Sequence, residues 1–177
     1  IAKIRFTVVG QALKDSRNEE IGEMTGKTFA EYSGKDTESY RYDTFTLYFA
    51  DKSGKKLVKE VRNVYYRRSL PKERIVLEQL AKGPMEEGHY PTISEHSSVL
   101  SVITADKICY VNLDEGFLET GYNVAENIPI YSIVNSIVDN TDAVKVQFSI
   151  NGESNRVYRE TINFNTIFEK NEELIEE

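Results

Sequence analysis

His89 and His96 stand seven residues apart with Glu86, Glu87 and Glu95 close by, residue types that could hold a metal ion or move protons. The spacing fits neither the i,i+4 pair of a metal-binding helix nor a short loop pair, so both histidines are expected to be solvent-exposed loop residues. Glu86-Glu87 and Asp114-Glu115 could supply paired carboxylates for glycoside hydrolysis, but adjacent side chains point in different directions, and Asp106 and Asp114 fit turn positions. The single cysteine, Cys109, excludes an intrachain disulfide and any zinc site built from paired cysteines. In Lys107-Ile-Cys-Tyr-Val-Asn-Leu, alternation places it with Val111 and Leu113 on one strand face, as a buried small hydrophobe. There is no Gly-rich phosphate loop, Gly-x-Ser-x-Gly elbow or His-Glu-x-x-His. No catalytic residue, metal site or cofactor is expected.

The cluster best suited to contact a partner is Tyr65-Tyr66-Arg67-Arg68, continued by Lys72 and Arg74, because Tyr and Arg combine broad contact with directional hydrogen bonding. Its plainer reading is a strand end with one tyrosine in the core and solvated arginines. A nucleic-acid partner is disfavoured by 22 basic against 29 acidic residues, a net charge of −7. Four of those charges come from the last nine residues, where five glutamates face Lys170 alone. Tyr40, Tyr42 and Tyr122 could instead stack on sugar rings.

Several elements must position these residues. With 40 % hydrophobic and 29 % charged residues over 177 positions, the chain is too apolar for disorder and has no apolar run of membrane-spanning length. Residues 1–43 form one expected strand, Ile4 to Val9, and a polar extension. The main domain is expected over 44–165 and an acidic helix or tail over 166–177. Neither linker, internal repeat nor low-complexity tract is evident. Phe45, Leu47 and Phe49 alternate into the Asp51-Lys-Ser-Gly-Lys turn, and Lys56 to Tyr66 returns as the second strand. Pro71 opens a helix whose stripe is Val76, Leu77, Leu80 and Ala81, and Gly83-Pro84 stops it. A loop over Met85 to Ser97 precedes a hairpin of Ser98 to Thr104 and Ile108 to Leu113. Ile130, Ile133, Val134, Ile137 and Val138 then mark a second helix, with Ser132, Asn135, Ser136 and Asp139 on its opposite face. Ala143 to Ile150 alternates as a strand closed by Asn151-Gly152, and Val157 to Phe164 is a further expected strand. Two amphipathic helices each need a sheet face, which predicts an α/β (α+β) two-layer sandwich with both helices on one face of a mixed sheet.

This order of pieces resembles the GerM domain of sporulation and spore germination proteins and of related bacterial lipoproteins. The resemblance is carried by Leu47-Tyr-Phe, Leu57-Val-Lys-Glu-Val-Arg, Leu80-Ala-Lys-Gly83-Pro84, Val111-Asn-Leu113-Asp with Phe117, Ile137-Val138, and Val144 to Phe148 running into Asn151-Gly152. The chain departs from the family pattern at Ile93-Ser-Glu-His-Ser, where Ser94 and His96 replace a proline and a glycine, and at Asn112, where Asp is common. Residues 1–43 match nothing in the family. The resemblance implies a fold like the ring-building motifs of secretion and sporulation channels. It also implies a noncatalytic assembly module outside the cytoplasmic membrane of a Gram-positive cell, held by a lipid anchor attached upstream of Ile1. Its partners would be envelope or sporulation-complex proteins, or a second copy of itself. The alternatives are a cell-wall glycan-binding module and a wall hydrolase using Asp114 or Glu115.

Overall fold

In the computed structural model the described residues are 5, 7–8, 10–12, 14, 20–23, 39–119 and 122–176. Ile4 and Val9, the ends of the expected first strand, and most of the polar run up to residue 38 lie outside them. The chain divides into two compact units, Ile1–Arg41 with Arg67–Ser69, and Tyr42–Tyr66 with Leu70–Glu177. In the smaller unit, β1 (Thr7–Val8) pairs antiparallel with β2 (Gln11–Ala12) around Gly10, and Arg5 lies 3.7 Å from Glu23.

The larger unit is built on a mixed sheet of four strands in the order β10 (Ile167–Glu169), β7 (Lys145–Ile150), β6 (Ile108–Leu113) and β5 (Val99–Ala105). β5 (Val99–Ala105) and β6 (Ile108–Leu113) form the expected hairpin. Its two-residue turn, Asp106-Lys107, takes φ of 49° and 63°, the positive values that suit right-twisted strands. β6 runs parallel to β7 (Lys145–Ile150), a step that needs a crossover. Helix α2 (Ile128–Asn140) lies in that crossover, with Pro129 in its first turn, and packs on helix α1 (Lys72–Ala81). Ile75, Val76, Leu77 and Leu80 of α1 meet Ile130, Ile133, Val134 and Ile137 of α2 over Cys109, Val111, Val146 and Phe148 of the sheet. Ala81, expected in the α1 stripe, is exposed.

β3 (Tyr40–Ala50) and β4 (Leu57–Arg67) form a separate hairpin. β3 begins four residues before the expected Thr44. Its edge explains a second difference from expectation. Ser132, Asn135 and Ser136 of α2, expected on the face opposite its apolar stripe, are fully buried as well. Ser132 Oγ donates to the Tyr48 carbonyl at 2.6 Å, Tyr48 N–H donates to Ser136 Oγ at 3.0 Å, and Asn140 both accepts from Thr46 N–H and donates to its carbonyl, at 2.9 and 2.6 Å. Ser132, Ser136 and Asn140 fall at i, i+4 and i+8, so one polar stripe satisfies a strand edge that would otherwise bury unpaired backbone groups.

The C-terminal segment also differs from the expected strand and acidic tail. Val157 to Phe164 is a tight hairpin of β8 (Val157–Tyr158) and β9 (Ile162–Asn163), with Arg159 and Glu160 at positive φ. Residues 166–177 hold a strand, β10 (Ile167–Glu169), antiparallel to β7. The chain then crosses α2, where Asn135 and Asn171 exchange hydrogen bonds of 2.9 and 3.0 Å, and pairs with Leu57 through Leu174 and Glu176. Tyr158, Phe164 and Phe168 join Phe117 and Phe148 in an aromatic cluster with centroids 5.3 to 6.4 Å apart. Burying these rings against the sheet orders the acidic end of the chain despite its charge.

Candidate functional site

Among the described residues the helices cover one face of the four-stranded sheet, and side chains of the other are exposed. Alternation sends Cys109, Val111 and Leu113 inward and Ile108, Tyr110 and Asn112 outward. The register carries this across all four strands: Ile103 opposes Tyr110, Tyr110 opposes Gln147, and Gln147 opposes Ile167. Ile103 is 65 % exposed, Tyr110 42 % and Ile167 43 %, so the row is apolar at three of its four positions. Beside it run Ala105, Ile108, Lys145 and Glu169, the last two joined by an ion pair of 2.7 Å.

Within the Tyr65 to Arg68 cluster the side chains divide between the surface and the core. Tyr65 is exposed on β4, whereas Tyr66 is buried, edge-on to Phe45 at 5.7 Å and donating its hydroxyl proton to Asp43. Arg67 and Arg68 are exposed and belong to the smaller unit, where Arg68 N–H donates to the Ser39 carbonyl at 2.8 Å. Tyr42 is 66 % exposed on β3, and Tyr122 is half-buried.

His89 corrects an expectation. It is largely buried, and its Nδ1 lies 3.2 Å from Glu60, while His96 is exposed. Glu60, which pattern reading passed over, is buried on the inward face of β4 beside Arg62. Its carboxylate pairs with the Arg62 guanidinium and accepts the N–H groups of Met85 and Glu86 at 3.1 to 3.2 Å. Arg62 donates onward to the carbonyls of Gln79 at 3.1 Å and Gly83 at 2.7 Å and stacks over Phe49 at 5.0 Å. These bonds satisfy the end of α1 and fix the chain reversal at Gly83, whose φ of 78° suits glycine. Every strong group in the cluster is spent on this junction, which makes it a structural clamp.

Burial pushes the Glu60 carboxyl up, but the bonds from Arg62, Met85, Glu86 and His89 outweigh it and hold it below the usual glutamate range. Asp51 behaves likewise: burial raises it, and bonds from Ser53, Lys55 and Lys56 bring it down to about 2. Both are lower folded than unfolded, so the stability they contribute is present above about pH 4.5 and is lost as pH falls through the folded values. The urea midpoint is therefore expected to hold from pH 7 to about 5 and to fall between about pH 4.5 and 2. A flat midpoint over that lower range would contradict the assignment.

The remaining candidates make contacts within the larger unit. Asp114 Oδ1 accepts Ser98 N–H at 2.8 Å, and Glu115 is an exposed partner of Arg156 at 3.4 Å. Asn112 Oδ1 accepts from Gly152 N–H at 2.8 Å and from Ser149 Oγ at 3.1 Å, pinning the Asn151-Gly152 turn. Gly116 allows the chain to pass His96, where a Cβ would lie 2.2 Å from a carbonyl oxygen. Burial raises the Cys109 thiol to about 12, which removes it as a nucleophile. Among the described residues no three His, Cys, Asp or Glu side chains could hold a metal ion together.

The sequence of residues 46–156 matches the Germane family, described as sporulation and spore germination. The chain belongs to that family. The Leu80 to Pro84 stop, Val111, Leu113, Phe117 and the Asn151-Gly152 turn all lie within the matched residues. The fold is that of solved GerM domains. A tandem pair of such domains from the Bacillus subtilis sporulation protein GerM matches with a TM-score of 0.60 at 15 % identity, over 97 % of this chain and 62 % of that one. This chain therefore spans less than two thirds of the tandem GerM structure. A candidate lipoprotein of Clostridium perfringens matches with a TM-score of 0.50 at 16 % identity, over 73 % of this chain and 88 % of that one. No curated protein matches.

Proposed function

We propose that this GerM-type domain is a noncatalytic interaction and assembly module of a sporulation or germination protein, acting outside the cytoplasmic membrane through the open face of its four-stranded sheet. The observation that carries the reading is the row Ile103, Tyr110, Gln147 and Ile167, in which the register of four strands presents exposed apolar side chains at three of four positions. Burying such a row against another protein removes apolar surface from water, and Tyr110 adds a hydrogen-bonding tip. The partner is an envelope or sporulation-complex protein, or a second copy of the domain. No helix among the described residues is long and apolar enough to cross a membrane. The same proposal holds the protein at the outer face of the membrane by a lipid anchor.

The test is a double substitution, Ile103→Ser with Tyr110→Ser, on side chains that point away from the core. The variant is expected to keep its melting curve and to lose at least about tenfold in partner affinity, a loss of ~1.4 kcal/mol. Unchanged affinity at unchanged fold would remove this face from the function. The glycan-binding alternative rests on exposed tyrosines such as Tyr42 and predicts retention on purified peptidoglycan, which this account does not.

A further inference from the structure

The main strand edges of the larger unit are guarded in several ways, and β5 is the exception. The outer edge of β3 is bonded by Ser136 and Asn140 of α2, and its Ala50 exchanges two backbone bonds of 2.9 Å with Tyr90. β4 carries Lys59, Glu60, Arg62 and Arg67, and its first residue, Leu57, is paired by Leu174 and Glu176. β10 is three residues long and ends on Glu169. Short, charged or covered edges are the usual guards against a foreign strand. β5, Val99-Leu-Ser-Val-Ile-Thr-Ala105, runs seven residues with neither charge nor proline, and its Leu100 is 49 % exposed. The bulge lies between Val99 and Ser101, so Ser101 to Ala105 pair regularly with β6. Ala105 and Ile108 flank the two-residue turn, where Ile108 N–H donates to the Ala105 carbonyl, and bonded pairs alternate from there along the hairpin. This alternation turns the backbone N–H and C=O of Val102 and Thr104 away from β6, toward the outer edge. Among the described residues no backbone group outside the sheet meets them.

We infer that the β5 edge is a strand-addition site whose occupant is an extended segment of the partner protein, with side chains that alternate between apolar and basic. The inference rests on the open-face reading above and names the form in which the partner meets that face. Water serves the outward backbone groups while the edge is free. Once desolvated beside Leu100 and Ile103, a row of donors and acceptors at two-residue spacing is matched only by another extended backbone. The register sets the two faces of the added strand. On the open side it lies next to Ile103 and lengthens the row through Tyr110, Gln147 and Ile167, which favours apolar side chains. On the other side it lies along α1, where Arg74 is spent on Glu78 at 3.0 Å and on the Val99 carbonyl at 3.3 Å. Glu73 accepts the Thr104 hydroxyl proton at 2.7 Å and among the described residues has no cation beside it. A lysine or arginine of the added strand gains an ion pair there, and a carboxylate is repelled.

Amide hydrogen exchange of the full chain, read by NMR, tests this with two capped peptides as probes, one of alternating valine and lysine and one of alternating valine and glutamate. The valine-lysine peptide is expected to slow exchange of the Val102 and Thr104 amides at least ~10-fold, and the valine-glutamate peptide to bind at least ~10-fold more weakly. Thr104→Pro removes an outward N–H at a position an edge strand tolerates. It should bind the valine-lysine peptide at least ~10-fold less tightly than Thr104→Ala, which lacks the same hydroxyl but keeps the N–H. Unslowed amides at Val102 and Thr104, equal affinity of the two Thr104 variants, or equal affinity of the two peptides would each overturn the inference. Exchange is read on the parent chain, so it decides even where Thr104→Pro fails to fold. Slowing that grows with protein concentration in the absence of peptide would overturn the foreign strand in favour of a second copy. Peptide-induced shifts confined to Tyr110, Gln147 and Ile167, with Val102 and Thr104 exchanging as before, would overturn strand addition and leave the open face standing. Failure of the face itself is read separately, through Ile103→Ser with Tyr110→Ser, which leaves the edge backbone intact.

Discussion

Replacing Ile137 with Asp unfolds the larger unit. Ile137 is fully buried on α2 among the side chains that join both helices to the sheet. Truncating such a residue alone costs ~2–5 kcal/mol, and a carboxylate in its place has no partner to offset its desolvation. The combined loss rivals the ~5–15 kcal/mol by which domains of this size are stable. Far-ultraviolet circular dichroism of the variant should show no cooperative melt. A melting curve like that of the parent would mean that the α2 face is wrongly placed.

Glu60→Leu has the second largest effect, a loss of ~3–5 kcal/mol, because it strands the buried Arg62 guanidinium. It also leaves the N–H groups of Met85 and Glu86 without their acceptor. Arg62→Leu should cost a similar amount by stranding Glu60 and uncapping the Gln79 and Gly83 carbonyls. The double variant is expected to be destabilised by clearly less than the sum, since the second change removes a charge the first left unpaired. Additive losses in a urea-unfolding cycle would show that the two side chains act separately.

The sequence made the apolar half of this fold legible. The helix faces follow period 3.6, and the strands of Phe45 to Phe49, Ile108 to Leu113 and Lys145 to Ile150 follow period 2, and each of these periods leads to the observed core. What escaped was the polar half. Glu60 and Arg62 sit two apart in a strand, as exposed charges often do, and only the approach of Gly83 to Glu86 buries them. Ser132, Ser136 and Asn140 look like a solvent stripe until β3 places its edge against it. The acidic count of residues 166–177 outweighed Phe164 and Phe168, whose rings hold that segment. The candidate interface was legible least. The open face proposed as the interface is assembled from single residues on four strands and exists only once their register is known.

The most direct test of the central claim is site-specific photo-crosslinking in sporulating cells, with a photoreactive side chain placed at Ile103 and, separately, at exposed Lys82 on the far end of α1. The account predicts a discrete protein adduct from position 103, identified by mass spectrometry, and none from position 82. The same adducts from both positions, or adduct from position 82 alone, would contradict an interface on the open sheet face.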